Sequence, residues 1–508
     1  MPTAAFTNLG CKVNQYETER LAESFEALGF ALTDFREPAD VYVINTCSVT
    51  ADADRKSRQM ARRAARQKDG ARVVLTGCFA QMALDTGEAV DGAALLVPNA
   101  EKMRTASHVL AAFPDLMQYS SSPAYPPVPP APTTVNGEGE DHPPTPNSGG
   151  VGYVEARFIA PSPSLVAPSS SLAPPELGAG GVNTGGALGA LFPEAAPGGL
   201  ISPESLVARP AHRTRATLKV QDGCRYFCGF CSIPYTRNVM ASRPFADVLT
   251  EARQMAVAGA KEVVVTGVCV GAYRPDTGSG GPDLADVLVA VADIEGIARV
   301  RLSSVQPVEI PGKLIDAMAT HPHIAPHLHL SLQSGDDTIL KAMNRPYDTR
   351  FFAEIADKLR ARMPRIGLTT DLIVGYPGET RALFENTLAF AQKMQFARTH
   401  VFRYSPRQRT AAEQLKDDVP HEEKERRHRE LSAVCVATQE AFAAGDLGKT
   451  VDVLVEAKGA RDGWLSGYTG NYVRVQFEAP ASLRGQIVPV TLTEILPGGD
   501  AFGHWEEI

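Results

Sequence analysis

The sequence lacks any apolar run approaching the roughly 20 residues that a membrane-spanning helix requires, which excludes a helical membrane protein. Its opening, MPTAAFTNLGC, has neither the basic start nor the apolar stretch of a secretory leader, so a cytoplasmic protein with no membrane partner is expected. A surplus of basic residues is missing too. Lys and Arg number 50 against 58 Asp and Glu, for a net charge of −8. A dedicated nucleic-acid binder is usually basic overall, so any RNA contact must come from local patches. What remains is the composition of an ordinary soluble protein, 44% hydrophobic and 21% charged. The 508 residues suit two or three domains.

Residues 1–112 alternate short β-branched runs (TAAFTNL, DVYVINT, ARVVLTG) with stretches of helical period such as NQYETERLAESFEALG. That alternation predicts a small parallel α/β domain. Residues 113–210 are rich in Pro, Gly, Ser and Ala, a composition that cannot bury enough apolar surface to offset its ordering entropy. A disordered insertion is expected there, with Tyr153–Ala160 as a short ordered patch. Over residues 211–440 the strands ATLKV, EVVVTGV, RVRLSS, HLHLSL, LTTDLIVG and THVFRYS alternate with helical stretches such as LFENTLAFAQKM. About six β–α units in series predict a parallel sheet curled into a (β/α)6 partial barrel. HEEKERRHRELSAV reads as a charged helix. Residues 445–508 change period, with TVDVLVEA, YVRVQF and QIVPVTLTEI separated by glycine turns. They predict a small antiparallel β-barrel of about five strands.

Of the eight cysteines, three crowd one loop after the strand ATLKV: Cys224, Cys228 and Cys231, spaced CxxxCxxC. In a long chain of this type, metal binding or catalysis is a better reading than disulfides. Soft thiolates suit iron–sulfur clusters. Three of them hold three corners of a four-iron cube and leave the fourth iron open, where S-adenosylmethionine can chelate. The alternative is a zinc site one ligand short, although structural zinc is closed by four ligands and favours paired C-x-x-C units. Cys11, Cys47 and Cys78 each follow a predicted parallel strand, at the sheet edge where loops converge to build sites. On placement alone they are either a second cluster triad or three ordinary buried thiols. Cys269 and Cys435 fit neither group and read as buried or incidental.

The CxxxCxxC loop at the head of a β/α series resembles the radical S-adenosylmethionine superfamily. TNLGCKVNQYETE, INTCSVT and TGCFAQ resemble the three cysteine motifs of its methylthiotransferase family. The resemblance covers nearly the whole chain except the Pro-rich segment, and likens residues 445–508 to a TRAM domain. It implies two 4Fe–4S clusters. Cys224, Cys228 and Cys231 would hold the catalytic one, and Cys11, Cys47 and Cys78 an auxiliary one that binds or carries the sulfur to be inserted. It also implies S-adenosylmethionine contacts at Phe230, Thr266, Gly267, Gln333, Ser334, Asp371 and Gly375. One S-adenosylmethionine would give a methyl group to sulfur and another would supply the radical.

GCKVNQYETE and VVVTGVCVGAY resemble most the MtaB-type branch of that family, which acts on threonylcarbamoyladenosine beside the anticodon of tRNA. The other branches, with GCQMN or GCPKN, act on isopentenyladenosine in tRNA or on an aspartate of a ribosomal protein. The expected partners are tRNA and an electron donor such as flavodoxin or ferredoxin, and the expected state is a monomer. A non-catalytic cluster- or zinc-binding RNA module is the reading from another class. One departure stands out: the family often has Gly-Thr after YSPR, and this chain has Gln408-Arg409-Thr410.

For RNA, a basic run (Arg55, Lys56, Arg58, Arg62, Arg63, Arg66, Lys68, Arg72) offers phosphate contacts or is a solvated helix face. Trp464, Tyr468 and Tyr472 of the small barrel either stack on unpaired bases or belong to its core.

Overall fold

The computed structural model describes residues 1–119, 214–275 and 280–507. The expected insertion lies outside the described residues except for 113–119, as does the patch Tyr153–Ala160. Residues 114–119 form a short 3₁₀ turn that continues the first domain, and Leu116 is buried in that domain's core.

The first domain runs β1 (Thr3–Asn8), α1 (Lys12–Ala27), β2 (Ala31–Thr33), β3 (Val41–Thr46), α2 (Ala51–Ala65), β4 (Arg72–Gly77), α3 (Cys78–Thr86), β5 (Leu95–Leu96) and α4 (Thr105–Ala112). Its five strands form one parallel sheet in the order β2-β1-β3-β4-β5. β3 is buried along its whole length, as expected of a central parallel strand covered on both faces. The loops after β1, β3 and β4 therefore leave the same edge.

The central part contains β6 (Arg215–Asp222), α5 (Ile233–Thr236), β7 (Ala241–Ser242), α6 (Phe245–Val257), β8 (Glu262–Gly267), α7 (Leu284–Ala292), β9 (Arg299–Leu302), β10 (Ser304–Val305), α8 (Gly312–Thr320), β11 (His327–Leu330), α9 (Asp337–Ala342), α10 (Thr349–Arg362), β12 (Gly367–Val374), α11 (Arg381–Met394), β13 (Arg398–Arg403) and α12 (His421–Ala444). The six expected parallel strands are present. With two short additions, the antiparallel β7 and the two-residue β10, they make two four-stranded sheets, β7-β6-β8-β9 and β10-β11-β12-β13, joined across the break by a bridge from Val300 to Ile324. Alternate residues such as Leu218, Val220, Val263, Val265, Leu328 and Leu330 pack outward into one large apolar core. The residues between them turn polar side chains inward, among them Arg215, Lys219, Glu262, Arg301 and His327. The charged stretch after β13 forms one 24-residue helix, longer than the sequence pattern marked.

The C-terminal strands β14 (Thr450–Lys458), β15 (Trp464–Thr469), β16 (Arg474–Glu478), β17 (Ile487–Ile495) and β18 (Ala501–His504) close into a barrel in the order β14-β15-β16-β18-β17. Four of the five pairings are antiparallel, as expected; the closing pair, β16 with β18, is parallel. This barrel docks on the inward-facing charges of the central sheet. Arg301 donates to the carbonyls of Gly470 (2.9 Å) and Thr469 (3.1 Å), and Tyr472 stacks on His327 with ring centroids 4.4 Å apart. Tyr468 stacks on Tyr472 at 4.8 Å. Both rings are thus engaged at a domain contact, and Trp464 packs edge-on against Phe502 at 5.0 Å. Tyr468 and Tyr472 therefore do not belong to the barrel's own core. Among the described residues no helix is long and apolar enough to cross a membrane.

Candidate active site

The first cysteine group is assembled by the sheet edge. Cys11 caps the N-terminus of α1, Cys47 follows β3 and Cys78 opens α3. Two glycines permit the approach. Gly10 has φ +93°, and a Cβ there would stand 2.5 Å from the Cys47 sulfur. Gly77 has φ +97°, and its Cβ would run into the Thr46 carbonyl oxygen. Only glycine satisfies both the left-handed φ and the close contact. Asn14 then ties the loops together, donating to the carbonyls of Leu9 and Thr46, each at 2.9 Å. Cys47 and Cys78 are buried, and Cys11 lies at the surface. Burial, reinforced by the neighbouring Cys78 and Cys11, pushes the Cys47 thiol up to about 12. The three sulfurs thus feel one another, and metal binding here would release protons.

The second group lies on the loop after β6. Gly223, at φ +78°, makes the turn; a Cβ there would collide with the Val239 carbonyl. The loop is fastened from outside: Gly229 donates its N–H to Met343 (2.9 Å), and Asn344 donates to the carbonyls of Tyr226 and Phe227 (3.1 Å each). Arg345 points its guanidinium at the Cys228 sulfur, 3.1 Å away. A cation suits a thiolate there. Burial and the neighbouring Cys228 raise the Cys231 thiol. The Cys224 thiol is lowered to about 7, first by its contact with the Cys269 thiol and then, against the effect of burial, by the Tyr226 N–H.

The structure brings the two groups side by side. Ser232, next to Cys231, donates to the carbonyl of Ser48, next to Cys47, at 3.4 Å. Arg237, beyond the second loop, reaches into the first domain. It bonds Glu17 (2.7 and 2.8 Å), Asn14 (2.9 Å) and Asp222 (3.0 Å). Glu17 also accepts from Lys102 and Lys219, each at 2.7 Å. The three cations hold the Glu17 carboxyl well below its ordinary range, against the opposing effect of burial.

The other sequence-predicted residues line the strand ends. Phe230 packs beside Ile339, Met343, Tyr376 and Tyr404. Thr266 and Gly267 end β8, with Gly267 against Gln221. Gln333 holds a left-handed φ of +80° and bonds both ways with β12, giving its N–H to Asp371 (2.9 Å) and accepting from Ile373 (2.8 Å). Strain of this kind concentrates at functional sites. Ser334 is fully buried, and its hydroxyl lies 3.3 Å from that of Thr387 on α11. Asp371 faces His329 at 3.3 Å. Gly375, at φ +73°, gives its N–H to Glu379.

Several neighbours of the cysteine groups are not among the sequence-predicted site residues. Cys269, read as a buried or incidental thiol, is buried, and it lies against Cys224 and gives its thiol to Glu309 at 2.8 Å. Its place two residues after the TG pair that ends β8 was the available clue. Glu17, Arg237 and Arg345 were missed because their partners are remote in sequence. Cys435 is a core residue of α12, as expected. Arg409 adopts φ +68°, a left-handed conformation that glycine takes more freely; here a pairing with Asp85 and a stack on Tyr235 accompany the strained conformation. Among the basic run, Arg58 pairs with Glu88, Lys68 with Asp40 and Arg72 with Asp115. Lys56, Arg62, Arg63 and Arg66 are exposed.

The donor chemistry fits two iron–sulfur clusters: two groups of three free thiols, each gathered by its own set of glycine turns. Among the described residues no three Cys, His, Asp or Glu side chains close on one point, as a single ion would need. A cube takes its thiolates at separate corners.

A curled parallel β/α sheet whose first strand leads into CxxxCxxC defines a radical S-adenosylmethionine protein, and residues 218–391 match the Radical SAM superfamily. Residues 3–96 match the Uncharacterized protein family UPF0004. The chain is 32% identical to the threonylcarbamoyladenosine tRNA methylthiotransferase MtaB of Bacillus subtilis, covering 97% of this chain and 94% of that protein. It is 30% identical to the protein of the same name from Thermotoga maritima, covering 94% and 92%. Among solved structures it is similar to the radical S-adenosylmethionine methyltransferase TsrM of Kitasatospora setae, with TM-score 0.48 and 14% identity over 92% of this chain and 77% of that one. The chain belongs to the MtaB family of methylthiotransferases.

Proposed function

We propose that this chain inserts a methylthio group at C2 of N6-threonylcarbamoyladenosine next to the anticodon of tRNA. Cys224, Cys228 and Cys231 would hold the radical-generating 4Fe–4S cluster, and Cys11, Cys47 and Cys78 the auxiliary one. When bound, the clusters and S-adenosylmethionine supply the electron, the radical, the sulfur and the methyl group. The protein's part is orientation. Arg345 braces Cys228, and Cys269, Glu309 and Tyr226 enclose Cys224. Phe230, Thr266, Gly267, Gln333, Ser334, Asp371 and Gly375 would line the S-adenosylmethionine site at the strand ends.

The observation that carries this reading is the Ser232–Ser48 contact, backed by the Arg237–Glu17 pair, because sulfur insertion requires both centres to face one substrate atom. The division of labour follows residues 1–112 for the auxiliary centre, 211–440 for the radical centre and 445–508 for a TRAM-like barrel. A flavodoxin- or ferredoxin-type donor, a monomeric state and a cytoplasmic location complete the proposal. Nucleoside mass spectrometry of tRNA from a deletion strain tests it. Loss of the methylthio derivative of threonylcarbamoyladenosine is expected. An unchanged level would overturn the substrate, and altered ribosomal-protein aspartate or isopentenyladenosine would reassign it.

A further inference from the structure

A cavity of about 310 Å³ opens where α1, β6, β8 and the C-terminal barrel meet, at the small end of ligand pockets, which start near ~300 Å³. Lys12, Gln15, Arg215, Thr217, Val264 and Glu456 line it, so its walls are mostly polar and all three parts of the fold contribute. The charges around it are unevenly matched. Glu262 is shared by Arg299 (3.1 Å) and Arg301 (2.8 Å), and Arg215 pairs with Glu456 at 2.5 Å. Lys12 is left over: among the described residues its ammonium makes no hydrogen bond and no ion pair, and Glu262, which attracts it from farther off, already serves Arg299 and Arg301. A mostly enclosed ammonium without a partner is costly unless something negative completes it. The cavity it faces thus calls for an anion.

Lys12 directly follows Cys11, so the cavity adjoins the segment that carries the first cysteine group. The exposed cations Arg62 and Arg63 on α2 are better placed for backbone phosphates, which stay in solvent. We infer that Lys12 is a specificity-determining residue and that this cavity takes the carboxylate of the threonylcarbamoyl arm, with Gln15 and Thr217 as neutral hydrogen-bond partners. This deepens, and rests on, the substrate reading above. An uncharged hydrocarbon arm would leave the ammonium unanswered.

The test compares anticodon stem-loop RNAs that differ at one adenosine: threonylcarbamoyl-modified, its methyl ester, and unmodified. Binding to the full chain with clusters reconstituted is measured by fluorescence anisotropy. The wild type is expected to bind the modified RNA ~10-fold or more tightly than either other RNA, as a charge-assisted contact implies. Lys12→Gln is expected to erase that preference while keeping its affinity for unmodified RNA and its iron content. The ester comparison on the wild type keeps the inference falsifiable if Lys12→Gln misfolds. A preference retained by Lys12→Gln or by the ester overturns the inference and leaves the substrate reading standing. Equal weakening toward all three RNAs overturns it in favour of a backbone phosphate. A wild type indifferent to the threonylcarbamoyl group overturns the substrate reading as well.

Discussion

The Ser232 hydroxyl donates to the Ser48 carbonyl at 3.4 Å, across 184 residues of sequence. It ties the end of the second cysteine loop to the end of Cys47's strand. Each partner is the immediate neighbour of a cysteine, so the two loops are fixed together at the point where two centres would share one substrate.

The proposed function assigns radical formation to one group of thiols and sulfur delivery to the other. Cys228→Ala is expected to abolish cleavage of S-adenosylmethionine to 5′-deoxyadenosine under reducing conditions. Cys47→Ala is expected to retain that cleavage and lose methylthio product. Chromatography of the nucleosides formed in one reaction reads both. Full methylthio product from Cys47→Ala would remove the first group from the chemistry.

Glu17 is a buried charge that joins the domains, and its loss leaves Arg237, Lys219 and Lys102 without their shared partner. Glu17→Gln should destabilise the protein by ~3–5 kcal/mol, the usual consequence of breaking a buried pair. The pH dependence follows from the depressed carboxyl. Its stabilisation is fully present above the unfolded value, near 4.5, and is lost as pH falls through the lower folded value. Thermal denaturation of the wild type should therefore be insensitive to this group above about pH 5 and weaken below it. Glu17→Gln should flatten part of that acid limb. An unchanged acid limb would show that Glu17 does not couple the domains.

Gly10→Ala introduces a Cβ 2.5 Å from the Cys47 sulfur at φ +93°. Backbone strain of ~1–3 kcal/mol is expected, together with displacement of Cys47. Iron bound after anaerobic reconstitution should fall toward half, while S-adenosylmethionine cleavage survives. Full iron content in this variant would mean that the first loop is not packed around its cysteines as described.

Arg62 and Arg63 are exposed on α2, whose neighbours Arg58 and Arg55 are already paired with Glu88 and Asp52. Replacing both with Ala should weaken tRNA binding and reduce the dependence of log affinity on log salt by ~1 for each phosphate no longer neutralised. An unchanged salt slope would return this helix face to the solvent.

What the sequence made legible is what local pattern encodes. The runs TAAFTNL, DVYVINT and ARVVLTG place Cys11, Cys47 and Cys78 at one sheet edge because parallel strands all point the same way. The six central strands and the five-stranded barrel followed from the same periodicities. Edge pieces such as β2, β7 and β10 were not legible, since two or three residues carry no period. Nor was the parallel β16–β18 closure, which depends on barrel geometry rather than on either strand. The pairings Glu17–Arg237 and Cys269–Glu309 span 220 and 40 residues, and neither partner's neighbours announce the other. Lys12 read as a motif residue and not as a pocket wall, because its environment is built by Arg215 and Glu456 from two other parts of the chain.

Two thiol-held clusters are best tested by counting iron and acid-labile sulfide in anaerobically reconstituted protein, wild type beside a variant with Cys11, Cys47 and Cys78 all changed to Ala. About eight of each per wild-type chain and about four per variant chain are expected for two four-iron cubes. Equal counts of about four in both proteins would contradict a cluster at the first group.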